Sequence, residues 1–331
     1  MISSQIIGMT WLLFVVLLLT GCTTPYVQPP LSQKTSPTLH EDMAIMDDGY
    51  QLPLTRWEPE GDSKAIVLAL HGLNDYRNGF TSTATHLAYK GIMVIAIDQR
   101  GFGETDGPGL WHGSGRLTAD LHMMIQLLES AYPAQDIYLL GESMGGAVAL
   151  AAMNDQALPV EGIVLVAPAI WSRNSMPFYQ RWALWLAAHT MPSRELTGEG
   201  LDLHPSDNIE MLRAMGRDPL VIKATRVDVL YGVTNLMDAA ASTDDVYPGR
   251  MLIQYGMKDD IIPLEPTCQW LNSLAPGDES RRQILIYKNG YHMLTRDLQA
   301  DVVLDDIAQW ILEPGKTIEH EGLIHDGQFC D

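Results

Sequence analysis

The chain has 331 residues, 46% of them apolar, and its 41 acidic and 21 basic side chains give a formal charge of −20. This length and apolar content are sufficient for one large domain with a substantial core. The acidic excess leaves no basic surface to neutralise phosphates, which argues against nucleic acid as a partner. The three cysteines form no C-x-x-C pair and give no disulfide framework, so we expect free thiols at Cys268 and Cys330, with a disulfide between them as the alternative in a periplasmic domain.

The N-terminal segment is expected to lie outside the folded domain. Residues 6–19 are strongly apolar, and a Leu-Thr-Gly-Cys sequence ends at Cys22. Small residues between an apolar run and a cysteine are typical of a bacterial lipoprotein signal, which predicts a signal peptide over residues 1–21 and lipid on Cys22. No Lys or Arg precedes the apolar run, and an uncleaved membrane anchor is the alternative. Both place the domain beside a membrane, facing the periplasm or the outside of the cell.

Residues 22–42 are rich in Pro, Ser and Thr, which predicts a flexible tether before a domain over residues 43–314. An Asp-Asp-Gly turn at Gly49 then predicts a hairpin, and Pro53 makes its second strand an edge strand or a bulged one. Apolar runs alternate with helical segments beyond it. We predict strands over residues 65–70, 92–97, 137–140, 163–167, 250–255 and 283–287, and helices over residues 80–90, 117–131, 147–153, 267–274 and 297–312.

This alternation predicts an α/β fold with a mostly parallel central sheet covered by helices on both faces. In such a sheet the ligand site lies at the carboxyl ends of the strands. Residues 168–245 are too many for one crossover and predict a helical cap over that site, whereas residues 315–331 predict a polar surface tail. One face of the cap is expected either to line an acyl-chain site or to pack on the core: Phe178, Trp182, Trp185, Leu186 and His189.

The central motif of the chain follows the strand predicted at residues 137–140. Gly141-Glu-Ser-Met-Gly145 is a G-x-S-x-G sequence between a strand and an alanine-rich helix, the context in which this motif carries a nucleophilic serine. The glycines permit a strained turn that holds Ser143 above the sheet. A serine hydroxyl needs a neighbouring base and an orienting acid, which on this fold follow in the order Ser, Asp or Glu, His.

The positions of the base and the acid follow from that order. His292 is the only downstream histidine in a loop between a buried strand and the final helix, which predicts it as the base. Asp259 follows the strand at residues 250–255 and is the predicted acid; Asp260, which leads into an apolar segment, is the alternative. The oxyanion would accept hydrogen bonds from the backbone N–H groups of Met144 and Leu73. His71, two residues before Leu73, is expected to hydrogen-bond the loop rather than act as a base.

The sequences around His71, Ser143, Asp259 and His292 together resemble the α/β-hydrolase fold. More narrowly, they resemble its monoacylglycerol lipase and lysophospholipase-like branch, which is grouped with serine aminopeptidase-like (S33) domains. The resemblance covers roughly Met43 to Leu312 and implies Ser143, Asp259 and His292 as a catalytic triad. Enzymes of this branch often have His before the serine, where this chain has Glu142. The matching segments are His71-Gly-Leu-Asn-Asp75, Asp98-Gln-Arg-Gly-Phe-Gly103, Gly141-Glu-Ser-Met-Gly-Gly146, Gly256-Met-Lys-Asp259 and Tyr291-His292.

The expected function is that of a membrane-tethered serine hydrolase, which cleaves carboxylic esters of monoacyl lipids through an acyl-enzyme. No cofactor or metal is expected, because the chain has no H-E-x-x-H sequence, no zinc-ligand spacing and no phosphate loop. Peptide or amide hydrolysis is the alternative within enzymes, since the same triad performs both reactions. A lipoprotein that uses an inactive hydrolase fold for binding is the non-enzymatic alternative.

Overall fold

The computed structural model describes residues 23–243, 247, 249–274, 281–320 and 322–324. The predicted signal peptide (residues 1–21) and Cys22 lie outside the described residues. The strands are β1 (Thr38–Leu39), β2 (Met43–Ile45), β3 (Gln51–Trp57), β4 (Ala65–Leu70), β5 (Ile92–Ile97), β6 (Ile137–Glu142), β7 (Gly162–Val166), β8 (Glu195–Thr197), β9 (Ala224–Arg226), β10 (Arg250–Gly256), β11 (Arg282–Tyr287) and β12 (Leu323–Ile324). The helices are α1 (Thr81–Tyr89), α2 (Ser114–Ala131), α3 (Met144–Asp155), α4 (Phe178–Thr190), α5 (Ile209–Arg217), α6 (Val227–Ala241), α7 (Leu264–Ser273) and α8 (Ala300–Leu312).

A ten-stranded sheet forms the centre of the molecule, in the order β1-β2-β3-β5-β4-β6-β7-β10-β11-β12. The neighbours from β5 to β11 pair in parallel, whereas the strands at both ends pair antiparallel. The carboxyl ends of the parallel strands therefore meet along one edge of the sheet. This architecture confirms the predicted α/β fold with its mostly parallel sheet.

The central strands are apolar because both of their faces are covered. All six residues of β4 are buried, and a buried aliphatic side chain of this kind contributes about 1.5–3 kcal/mol. Helices α2, α3 and α6 pack on one face of the sheet, and α1 and α8 pack on the other. The carboxyl ends of the strands are thereby held in a rigid frame.

Pro53 lies where β3 changes its partner. Residues 51–53 pair with β2, and residues 54–57 pair with β5. No residue of β3 is paired on both sides, so a residue without an N–H group fits at the change of partner. The strand lies inside the sheet order, although the sequence predicted an edge strand or a bulged one.

The predicted tether is attached to the domain instead of being free. The amide of Thr23 donates to the carbonyl of His189 at 2.7 Å, and that of Gln28 donates to the carbonyl of Trp111 at 2.7 Å. Thr35 donates to the Asp47 carbonyl at 2.8 Å, and β1 then adds to the edge of the sheet. The non-proline residues of this extended segment keep their amide N–H groups available for carbonyls on the domain surface, and residues 23–42 make such contacts along the domain.

The C-terminal part of the chain also belongs to the domain as far as the structure describes it. Ile318 is 1% exposed, and residues 323–324 form β12, which pairs with β11. The free thiol expected at Cys268 is wrong, because Cys268 is disulfide-bonded. The other two cysteines of the chain, Cys22 and Cys330, lie outside the described residues. Among the described residues, no helix is both long and apolar enough to cross a membrane.

The insertion after β7 has two parts with different roles. Helix α6 packs on α2 and α3 and is the crossover that returns the chain to the sheet. Residues 168–226, with α4, α5 and the small β8–β9 sheet, form the cap proper. The aromatic face of α4 is largely exposed, with Phe178 74% and Trp182 67% exposed, whereas His189 at its C-terminal end lies against Tyr231 of α6. The line-or-pack alternative for that face therefore stays a prediction.

Candidate active site

Ser143 lies in the sharp turn between β6 and α3. Its φ angle of +52° is rare for a residue with a side chain, and the turn places the hydroxyl at the N-terminus of α3. The glycines of the motif are required by close approach. A Cβ atom on Gly145 would lie 2.1 Å from the carbonyl oxygen of Leu70, and one on Gly141 would lie 2.6 Å from the amide nitrogen of Gly146.

The structure brings Ser143, His292 and Asp259 into one hydrogen-bonded chain. Nε2 of His292 is 2.9 Å from Oγ of Ser143, and Nδ1 is 2.8 Å from Oδ2 of Asp259. An ionised carboxylate only accepts hydrogen bonds, so Nδ1 carries the imidazole proton and Nε2 is free to accept from the serine hydroxyl. The other carboxylate oxygen of Asp259 accepts from the amides of Ile261 and Ile262 at 2.8 and 2.9 Å.

Asp260, the alternative acid, lies away from this chain of hydrogen bonds. Its side chain is 40% exposed, and Oδ2 accepts from the amide of His204 at 3.2 Å. The tight turn after β10 directs the two adjacent carboxylates apart. Only Asp259 reaches the imidazole of His292.

The surroundings of His292 favour its protonated form. Burial lowers the pKa of His292, but the charge of Asp259, its hydrogen bond to Asp259 and the charge of Glu142 outweigh burial, so the pKa is raised above the ordinary value of 6.5. This electrostatic setting stabilises an imidazolium, which is the state a base reaches when it removes a proton from a hydroxyl.

The two backbone amides predicted as oxyanion donors belong to segments next to Ser143. Met144 follows the serine at the start of α3, and Leu73 belongs to the loop after β4. This loop approaches the serine so closely that a Cβ atom on Gly72 would lie 3.3 Å from the Cβ of Ser143. Asn74 completes the bend with a φ angle of +67°.

His71 has the supporting position that the sequence predicted. Its Nδ1 donates to the carbonyl of Gly72 at 2.8 Å, and its Nε2 accepts from the amide of Gln99 at 3.0 Å. Burial lowers the pKa of His71, which keeps the ring neutral and suited to donate once and accept once. The ring thus holds the loop that carries Leu73.

A buried ionic cluster lies directly behind the triad, and the sequence reasoning did not identify it. Arg296, four residues after His292, donates to Glu142 at 3.0 Å and forms an ion pair with Asp75 at 2.7 Å. The hydroxyl of Thr295 donates to the other oxygen of Glu142 at 3.0 Å. The available signal was Glu142 itself, because an acid before the nucleophile on a buried strand requires a basic partner.

The cap is attached to the loops that carry the site. Asn74 donates through its side chain to Thr225 at 2.7 Å, and its carbonyl accepts from the amide of Ile222 at 2.9 Å. At the other side, Met293 donates to the carbonyl of Pro205 at 2.9 Å. The cap therefore contacts both the oxyanion loop and the histidine loop.

A nucleophilic serine, a histidine held by a carboxylate and two adjacent amides on this sheet define a serine hydrolase of the α/β-hydrolase fold. The comparisons with known proteins specify the class further. Residues 61–299 match the family model of the serine aminopeptidases, S33. The match spans most of the chain, so the protein belongs to this family.

The most similar curated proteins include lipases that the chain covers almost completely. It is 25% identical to a monoglyceride lipase of Rattus norvegicus over 271 residues, which are 80% of this chain and 88% of that protein. It is 23% identical to a monoacylglycerol lipase of Mycolicibacterium smegmatis over 272 residues, 80% of this chain and 94% of that protein. The chain thus lies in the monoacylglycerol lipase-like branch, whose members are ester-hydrolysing serine hydrolases.

Solved structures show the same fold. A monoglyceride lipase from Saccharomyces cerevisiae, a soluble variant in complex with a substrate analogue, has a TM-score of 0.69 at 20% identity and covers 89% of this chain and 100% of that chain. A monoacylglycerol lipase from Paleococcus ferrophilus has a TM-score of 0.65 at 21% identity and covers 79% and 98%.

Proposed function

We propose that the protein hydrolyses medium- or long-chain monoacylglycerols or closely related monoacyl lipids, with Ser143 as nucleophile, His292 as base and Asp259 as orienting acid. The observation that carries this proposal is the continuous chain of hydrogen bonds from Asp259 through His292 to Ser143. The monoglyceride lipases among its relatives support the class of substrate.

The geometry supports a two-step acyl transfer. Oγ of Ser143 attacks the ester carbonyl while its proton passes to Nε2 of His292, and the oxyanion accepts hydrogen bonds from the two amides. The bond to the alcohol breaks, the alcohol takes the proton from His292, and the acyl group remains on Ser143. Water then attacks the acyl-enzyme, again losing its proton to His292, and the proton returns to Ser143 as the fatty acid leaves.

Substrates of increasing acyl length test this proposal. A chain buried in an apolar site gains binding energy of about 0.8 kcal/mol per methylene, so kcat/KM should rise with chain length up to the length of the site. We expect higher kcat/KM for medium- and long-chain monoacylglycerols than for acetyl esters, and loss of hydrolysis in Ser143→Ala. A preference for amino-acyl amides or acetyl esters would contradict the substrate, and an active Ser143→Ala protein would contradict the nucleophile.

We propose further that the protein is a lipoprotein of the cell envelope, attached through lipid on Cys22. The hydrogen bond from Thr23 to His189 places the residue after Cys22 at the C-terminal end of α4. The exposed face of α4 supports attachment to a membrane, because Trp and Tyr favour the membrane–water interface. Its exposed large side chains are Phe178, Tyr179, Trp182, Trp185 and Leu186.

Mass spectrometry of the protein from the membrane fraction tests the attachment. We expect a mature chain that begins at a lipid-modified Cys22. A chain that begins at Met1 with an unmodified cysteine would instead support an uncleaved anchor, and a chain recovered only from the soluble fraction would contradict both.

A further inference from the structure

The guanidinium of Arg296 joins the three loops that carry the active site. One loop follows β6 and holds Glu142 and Ser143, and a second follows β4 and holds Leu73 and Asp75. The third loop holds His292 and Arg296 itself. Arg296 contacts Glu142 at 3.0 Å and Asp75 at 2.7 Å. Glu142 precedes the nucleophile, Asp75 lies two residues after Leu73, and Arg296 itself lies four residues after the base.

The cluster is buried, and its geometry suits arginine. Glu142, Asp75 and Arg296 are 3%, 5% and 8% exposed. The rigid, planar guanidinium can face two carboxylates in a fixed arrangement, whereas the single ammonium of lysine cannot bridge them in that way. Thr295 fixes the remaining oxygen of Glu142 at 3.0 Å, so both oxygens of that carboxylate are held by the histidine loop.

We propose that Arg296 is a positioning residue, and this inference rests on the proposed ester hydrolysis. Arg296 sets the relative positions of the nucleophile, the oxyanion loop and the histidine. The serine and the amides must lie within hydrogen-bonding distance of one reacting carbonyl. Displacement of either loop by about 1 Å is sufficient to lower the rate by about 100-fold. The polar contacts of the Arg296 side chain within the described residues are with Glu142, Asp75 and Met215, not with the triad, so it acts through the backbone segments that it joins.

The cluster also has an electrostatic effect on the base. The charge of Glu142 raises the pKa of His292, and the charge of Arg296 lowers it. Within the cluster, Glu142 and Arg296 therefore have opposite effects on the pKa of His292. The charged groups that act on the imidazole are Asp259 after β10, Glu142 at the end of β6 and Arg296 on the histidine loop. Asp75 after β4 pairs with Arg296, and Asp297 accepts from the amide of Tyr291.

The test compares Arg296→Lys with Arg100→Lys as a matched control. Arg100 is likewise a buried arginine between two carboxylates, Asp48 and Asp120, but it joins no segment of the triad. Stability is measured as Tm, and activity as kcat and KM on a soluble short-chain ester together with the rate at which a fluorophosphonate labels Ser143. We expect both variants to lose stability, and only Arg296→Lys to lose kcat, by about 10- to 100-fold at similar KM.

Glu142→Gln and Asp75→Asn keep the inference testable if Arg296→Lys does not fold. Glu142→Gln removes a charge that raises the pKa of His292, so the acidic limb of the pH–kcat/KM profile should move to lower pH. Asp75→Asn should lower kcat without that movement of the limb. Wild-type kcat, labelling rate and pH profile in folded variants would overturn the positioning role. Labelling of the wild type without hydrolysis of any monoacyl ester would instead contradict the proposed function alone.

Discussion

Asp259 and Asp260 are adjacent in sequence and differ completely in their surroundings. Asp259 is buried between His292 and two backbone amides, whereas Asp260 is partly exposed beside His204. We expect Asp259→Asn to lower kcat by about 10⁴-fold, because an amide in place of the carboxylate favours the wrong imidazole tautomer. Asp260→Asn is the matched control and should keep activity close to wild type. Steady-state kinetics of the two proteins measures the difference, and the reverse order would reassign the acid.

The raised pKa of His292 has a definite consequence for the pH profile. The base must be neutral to accept the proton of Ser143, so activity is lost when the pH falls below its pKa. We expect the acidic limb of kcat/KM to have its midpoint above 6.5, since the neighbouring carboxylates raise the pKa above that value. The profile of a soluble short-chain ester over the acidic and neutral range measures this midpoint. A limb centred well below 6.5 would show that burial outweighs Asp259 and Glu142.

Sequence patterns identified the triad residues because each has a local signal. Ser143 lies in a five-residue motif, and His292 and Asp259 each follow a buried strand. The cluster around Arg296 has no such signal, since its members are separated by 67 and 154 residues and meet only in the folded chain. A single arginine after the histidine is also an ordinary surface residue in most sequences. Glu142, which stands where related enzymes often have His, indicated that a basic partner was needed. It did not indicate which residue supplies the positive charge.

Helix α4 shows why an amphipathic pattern does not determine which side an apolar face contacts. The sequence predicted one aromatic face, and in the structure most of its large side chains are exposed. The pattern gives the spacing of the residues around the helix, whereas the orientation depends on how the cap is attached. That attachment comes from contacts such as Asn74 with Thr225 and Met293 with Pro205, which join segments far apart in the sequence.

The exposed face of α4 should bind membranes without contributing to the chemistry. We expect Phe178→Ser combined with Trp182→Ser to weaken binding of the protein to phosphatidylethanolamine–phosphatidylglycerol vesicles, because both side chains are more than half exposed and apolar. Hydrolysis of a soluble short-chain ester should stay at the wild-type level. Sedimentation with vesicles, using a protein that begins at residue 23, measures the binding without the lipid.

Tyr89→Ser is the matched control for that experiment. Tyr89 is 89% exposed and lies on α1, outside the cap. The control should bind vesicles as the wild type does. Equal binding by all three proteins would show that α4 is not the membrane-facing surface, whereas loss of ester hydrolysis in the α4 variant would place that face in the substrate site.

The overall fold was predictable because one pattern, an apolar strand followed by a helix, repeats along the chain. Alternating buried strands and helices gave the parallel sheet and its order of functional loops. The attachment of residues 23–42 and 315–320 was not predictable in the same way, since Thr23 and Ile318 contact the domain through isolated hydrogen bonds. A proline-rich segment and a polar tail have the same composition whether they are free in solution or lie along a protein surface.

The junction between cap and histidine loop should make the stability of the whole domain depend on pH. Asp297 lies in this junction, where its carboxylate accepts from the hydroxyl of Ser206 at 2.6 Å and from the amide of Tyr291 at 2.8 Å. Burial raises the pKa of Asp297 from 3.8 to about 6, against the effect of these two hydrogen bonds. The folded protein therefore retains a proton that the unfolded chain has already released.

A raised carboxyl pKa stabilises the folded state at low pH, and this contribution is lost as the pH rises through the folded-state pKa. Asp297→Asn removes this dependence, because the amide is uncharged and can still accept from Tyr291 and donate to Ser206. We expect the Tm of the variant, relative to wild type, to increase as the pH is raised from about 4 to about 7. Thermal unfolding across this range measures it, with Asp301→Asn as a control for loss of an exposed carboxylate nearby. A constant Tm difference would mean that Asp297 is already ionised in the folded protein throughout that range, and that the junction between cap and histidine loop holds a full charge.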